Sequence, residues 1–117
     1  MRLAGLLEVS ALEPRAKEAA QLLKALSNEH RLLILCHLVA NGEMSVSALN
    51  AEVPLSQSAL SQHLAKLRDE GLVTYRREAQ VLFYRVADPN AARLLALLQD
   101  IFCPELSGSA PQTRERR

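Results

Sequence analysis

The chain has 117 residues, 49% hydrophobic and 23% charged, with a formal net charge of +1 and two cysteines. That length and apolar share fit one folded domain and argue against disorder throughout. Aromatics at 3% with no tryptophan argue against a base-stacking platform for single strands, and two cysteines cannot staple a secreted disulfide scaffold.

The stretch Met1–Ser10 has no apolar run with a cleavage pattern, and no run of roughly 18 apolar residues occurs. The expectation is a cytoplasmic chain, away from membranes, with reduced thiols. The near-zero total hides a pattern. Residues 1–55 carry a net charge of −1, residues 56–87 carry +2, and the remainder balances. The middle segment is the basic one, a bias that a solvated face explains equally well.

In chain order, Pro14 marks a helix start, and Ala16, Ala19, Ala20, Leu23 and Leu26 predict an amphipathic helix over 15–26. Ser27 or Asn28 caps a second helix running to Val39. Its run from Leu32 to Val39 is apolar nearly all round and predicts the central buried element. Asn41-Gly42 ends it. Ser45 caps a short helix to residue 53, Pro54 stops it, and Ser56 caps a helix over 57–69 with a Leu60, Leu64 and Leu67 stripe.

The spacing then changes. Residues 73–76 and 81–86 are rich in β-branched and aromatic types and predict two strands joined by a 77–80 loop. Asp88-Pro89 opens a last helix bearing Leu94, Leu95, Leu97, Leu98, Ile101 and Phe102. The expected organisation is an arm over 1–14, a domain over 15–103, and a disordered tail over 104–117.

The predicted fold is mainly α with a β-hairpin wing, a winged helix-turn-helix in the order α-α-α-α-β-β-α. A helix start rich in small polar groups suits the major groove, where Ser and Gln reach base edges or phosphates. The plainer reading of such a start is a capping region. The hairpin offers Arg76 and Arg77 to the DNA backbone or minor groove. Six large apolar residues on the last helix ask for a cover, and pairing with the alanine-rich first helix predicts a homodimer.

Four stretches resemble the ArsR/SmtB family of dimeric winged-helix repressors: Ala25 to Leu35, Leu55 to Leu64, Leu67 to Val73, and Arg76 to Gln80. The resemblance spans roughly residues 15–103. It implies a double-stranded DNA operator, an inverted repeat, as partner. It also implies that Gln57, Ser58, Ser61 and Gln62 contact DNA and that 77–80 is the wing, adding Gln80 to a set completed by Lys66, Arg76 and Arg77.

Many family members sense metals. The thiolate type carries Cys-x-Cys on the short helix, which here reads Ser45-Val46-Ser47, and the zinc type carries His on the last helix, which here has none. His30, His37 and His63 lie elsewhere, and no four-ligand set is visible, so no metal or other cofactor is expected.

Cys36 on the second helix and Cys103 at the end of the last resemble the thiol pair of the family's persulfide-sensing branch. The resemblance implies that reactive sulfur species join the two thiols and weaken DNA binding. Taken alone, Cys36 among Leu32, Leu33, Val39 and Ala40 reads as inert packing, which leaves a metal-responsive or non-sensing repressor with structural cysteines as the alternative. An enzyme is not expected, since Cys-x-x-Cys, a Gly-rich cofactor loop and βαβ alternation are all missing. A winged helix that has become a protein-interaction module stays open, against the polar set on the reading helix.

Overall fold

The computed structural model describes residues 3–106. Elements follow one another as α1 (Val9–Leu12), a 3-10 turn (Glu13–Arg15), α2 (Ala16–Leu26), α3 (Glu29–Asn41), β1 (Met44–Ser45) and α4 (Val46–Glu52). After them come α5 (Gln57–Asp69), β2 (Val73–Glu78), β3 (Val81–Val86), α6 (Pro89–Phe102) and a second 3-10 turn (Pro104–Leu106).

Local chemistry sets these boundaries. The Asn28 side chain accepts the amide N–H groups of His30 and Arg31 at 2.9 and 3.1 Å, two of the orphan donors at a helix start. Gly42 ends α3 at φ 82, and its N–H donates to the Leu38 carbonyl at 2.8 Å. Ser45 caps α4 through Ala48, and Ser56 caps α5 through Ala59, each at 3.1 Å. Asp88 caps α6, with Pro89 at its first position.

The core gathers Ile34, Leu35 and Leu38 of α3, Leu49 of α4, Leu60, Leu64 and Leu67 of α5, Val73 of β2, and Ala91 and Leu95 of α6. The leucine stripe predicted for α5 is thus its buried face. All three strands form one antiparallel sheet in the order β1-β3-β2.

Three local expectations need correction. The 77–80 loop is a two-residue turn, because Arg77 and Glu78 continue β2 opposite Leu82 and Val81. Strand pairing outlasts the β-branched run, and Ala79 turns the chain at φ 56. The sheet has a third strand, β1, two residues long and therefore without any readable alternation. The second predicted helix is buried along one face only: Leu33 and Val39 are exposed, as is Cys36.

Helix α6 shows Leu97, Ile101 and Phe102 to solvent, and α2 shows Leu23. Within the expected arm lies α1, and the first 3-10 turn straddles its boundary at residues 14 and 15. Of the expected disordered tail, Pro104–Leu106 forms a turn and residues 107–117 lie outside the described residues. Among the described residues, no helix is long and apolar enough to cross a membrane.

Candidate nucleic-acid interface and thiol pair

Helices α4 and α5 make a helix-turn-helix whose turn is held by the Asn50 amide, which donates to the Leu55 carbonyl at 2.7 Å. The turn ends at Ser56, so α5 begins on a fixed residue. With Leu60, Leu64 and Leu67 buried, the 3.6-residue period turns Ser58 and Gln62 outward. Gln57, Ser58, Ser61 and Gln62 are all exposed, and Lys66 lies one turn beyond Gln62. Ser58, Ser61, Gln62 and Lys66 therefore lie on one open side of the helix, while Gln57 stands exposed at its first turn, half a turn around from Lys66. The Ser58 hydroxyl lies 3.4 Å from that of Ser56, close enough for either to donate.

Arg76, Arg77 and Gln80 are exposed on the hairpin. Their environments differ. The Arg76 Nε and Nη2 donate to the two carboxylate oxygens of Glu43 at 2.8 and 3.0 Å, and its Nη1 donates to Glu78 at 3.3 Å. Its guanidinium stacks on Phe83, 4.6 Å from the ring centroid. The Arg76 hydrogen bonds hold the Glu43 carboxyl below the usual carboxylate range. The Arg77 side chain, on the opposite sheet face, makes no hydrogen bond or ion pair among the described residues.

A second arginine links α5 to the sheet. Arg68 donates to the Tyr75 hydroxyl at 3.0 Å and lies 5.1 Å from that ring's centroid. Tyr75 in turn packs on Tyr84, with ring centroids 5.3 Å apart. Sequence reasoning missed Glu43, Arg68, Tyr75 and Phe83. Arg76 and Glu43 are separated by 33 positions, and nothing in the local pattern pairs them.

Where α3 begins, Arg31 reaches Glu70 at 3.7 Å, tying α3 to the end of α5. The His30 and His63 rings lie 6.2 Å apart, and burial is the first cause lowering the His63 pKa, followed by the nearby Arg31 and His30 charges. Among the described residues, no group of three or more His, Cys, Asp and Glu is arranged to hold a metal ion.

Helix α3, which carries Cys36, packs against α6, and Cys103 directly follows the last residue of α6. Both cysteines are free. Cys36 is open to solvent in the single chain, yet the atoms crowding it push the thiol pKa up by desolvation. Cys103 is half-buried at the end of α6, where its N–H donates to the Gln99 carbonyl at 2.7 Å and its carbonyl accepts the Leu106 N–H at 3.0 Å.

Comparison with known proteins agrees with this architecture. Residues 28–75 match the model for "Bacterial regulatory protein, arsR family". The chain is 45% identical over 97 residues to the transcriptional activator HlyU of Vibrio cholerae, covering 83% of this chain and 89% of the relative. The crystal structure of the transcriptional repressor BigR from Xylella fastidiosa superimposes with a TM-score of 0.79 at 42% identity, covering 83% of this chain and 98% of that one. A structure titled reduced HlyU from Vibrio cholerae gives a TM-score of 0.73 at 47% identity, covering 80% and 97%. The chain belongs to the ArsR family of bacterial regulators: it is a DNA-binding winged-helix transcriptional regulator and not an enzyme.

Proposed function

We propose that this regulator works in the cytoplasm as a homodimeric repressor whose affinity for an inverted-repeat operator falls when Cys36 and Cys103 are joined by reactive sulfur chemistry. The observation that carries the proposal is that α3, which bears Cys36, packs against α6, which is capped at its C-terminus by Cys103. Gln57, Ser58, Ser61 and Gln62 read or brace the major groove, and Lys66, Arg77 and Gln80 meet phosphates or the minor groove. The exposed Leu23, Leu97, Ile101 and Phe102 supply an apolar cover for a second copy, which sets two reading helices about 34 Å apart.

The thiol chemistry balances. One thiolate attacks the sulfane sulfur of an organic persulfide, RSSH, releasing RSH and leaving a protein persulfide. The second thiol attacks the inner sulfur of that group, forming the disulfide and releasing hydrogen sulfide. If both thiols are first persulfidated, their reaction leaves a trisulfide and the same by-product. A direct disulfide needs Cα atoms within about 7 Å, a limit that inserted sulfur relaxes. The relative HlyU is described in a reduced form, a redox distinction consistent with this reading.

Crowding at Cys36 favours a second reading, a repressor that does not sense and whose cysteines are structural. Titrating operator binding against an organic persulfide separates the two. Under the proposal, affinity falls in the wild type and holds in Cys36→Ser and Cys103→Ser. An unchanged wild type, or a response surviving in Cys36→Ser, overturns the sensing mechanism.

A further inference from the structure

The register sets Arg76 of β2 opposite Phe83 of β3, and Ser45 of β1 lies beyond Phe83 on the same row. Arg76 does not point away from the sheet. It lies across the central strand over the Phe83 ring and ends on Glu43, the residue just before β1. Its remaining contact, Glu78, is two residues nearer the hairpin tip. One guanidinium therefore spans the sheet from β2 to the link that leaves α3.

We propose that Arg76 is a positioning residue for DNA binding, which acts through Glu43 to fix the angle of the wing instead of contacting a phosphate. The inference rests on the DNA-binding role above. A cation committed to two carboxylates, with the Arg85 charge also acting on Glu43, has its own charge already countered and is poorly suited to displacing counterions from a duplex. Neighbouring Arg77 lies on the other sheet face without such partners among the described residues and is the better phosphate ligand. Beyond the Arg76–Phe83 pair the hairpin has no pairing from β1, and two strands alone are only marginally stable, so a brace at that pair bears on where the tip lies. The planar fork of arginine both grips a carboxylate and stacks on a ring, which a lysine ammonium does not reproduce.

The test uses a fluorescein-labelled duplex covering the DNA directly upstream of the chain's own reading frame, with anisotropy read over a salt series. Amide hydrogen exchange over residues 76–83 is measured in parallel. Arg76→Gln and Glu43→Gln each weaken binding about two- to fivefold and speed exchange in the hairpin. The salt slope stays at the wild-type value in Arg76→Gln and drops by about one in Arg77→Gln. Glu43→Gln is the sharpest arm, because it weakens binding while removing a negative charge. Binding by Glu43→Gln that equals or exceeds wild type, a slope lowered by about one in Arg76→Gln, or unchanged hairpin exchange overturns the proposal. A wild type that ignores the duplex sinks the DNA role for that sequence, and the exchange data still decide whether Arg76 braces the wing.

Discussion

The Ser56 hydroxyl accepts the amide N–H of Ala59 at 3.1 Å, which satisfies one orphan donor of α5 and fixes the residue at which the reading helix begins. Replacing Ser56 with alanine removes that acceptor. The expected loss is about 1 kcal/mol of unfolding free energy, read by urea titration of the helical signal. Ser56→Gly preserves more of it, since a bare backbone lets water reach the N–H.

Ser58 and Gln62 project from the same outward face of α5. Their joint replacement by alanine is expected to reduce discrimination between operator and random duplex by about thirtyfold or more, at about 1–3 kcal/mol per lost base contact. The salt slope stays unchanged. Lys66→Gln does the reverse, weakening binding to both duplexes and lowering the slope by about one. Competition with unlabelled random duplex across a salt series separates these outcomes.

Phe102 and Ile101 are among the most exposed large apolar side chains of α6, at 77% and 58%. Ile101→Asp with Phe102→Asp is expected to leave the fold intact and yield monomers by light scattering, because a charged carboxylate resists burial in an apolar interface. Operator affinity falls with the dimer. Persistence of a dimer in this double variant removes α6 from the interface.

Desolvation raises the Cys36 pKa, so at a given pH less of it is thiolate than for an unperturbed thiol. In Cys103→Ser, alkylation of Cys36 by iodoacetamide is therefore expected to be slow at neutral pH. It should climb with a midpoint above that of a free cysteine peptide. A midpoint at or below the peptide value shows that another charge offsets the crowding.

Most of the architecture was readable because it depends on signals close in sequence. Asn28, Ser45, Ser56 and Asp88 are caps whose backbone N–H donors lie two or three residues away, and the α5 stripe follows one helical period. The open polar face of α5 follows from that same stripe. What escaped depends on distant partners. Strand β1 exists because β3 offers Met44 and Ser45 a ladder, and two residues cannot advertise that. The 77–80 loop shortened for a similar reason, since Leu82 and Val81 hold Arg77 and Glu78 in the ladder despite their polar side chains. Arg76 read as a free cation until Glu43 came into view across the sheet. The α3 run looked uniformly buried because composition alone does not separate a core face from one that awaits a partner.

Ala79 occupies the left-handed region at φ 56, where a side chain costs roughly 1–2 kcal/mol and glycine costs nothing comparable. The tip is exposed and away from the core, so the strain is local. Divergence between regulators built on this plan thus has an outlet at this turn. Glycine there relaxes the tip and loosens it, while asparagine tolerates the same backbone and adds hydrogen-bonding groups. Either change would alter the hairpin tip alone, leaving α4 and α5 as they are.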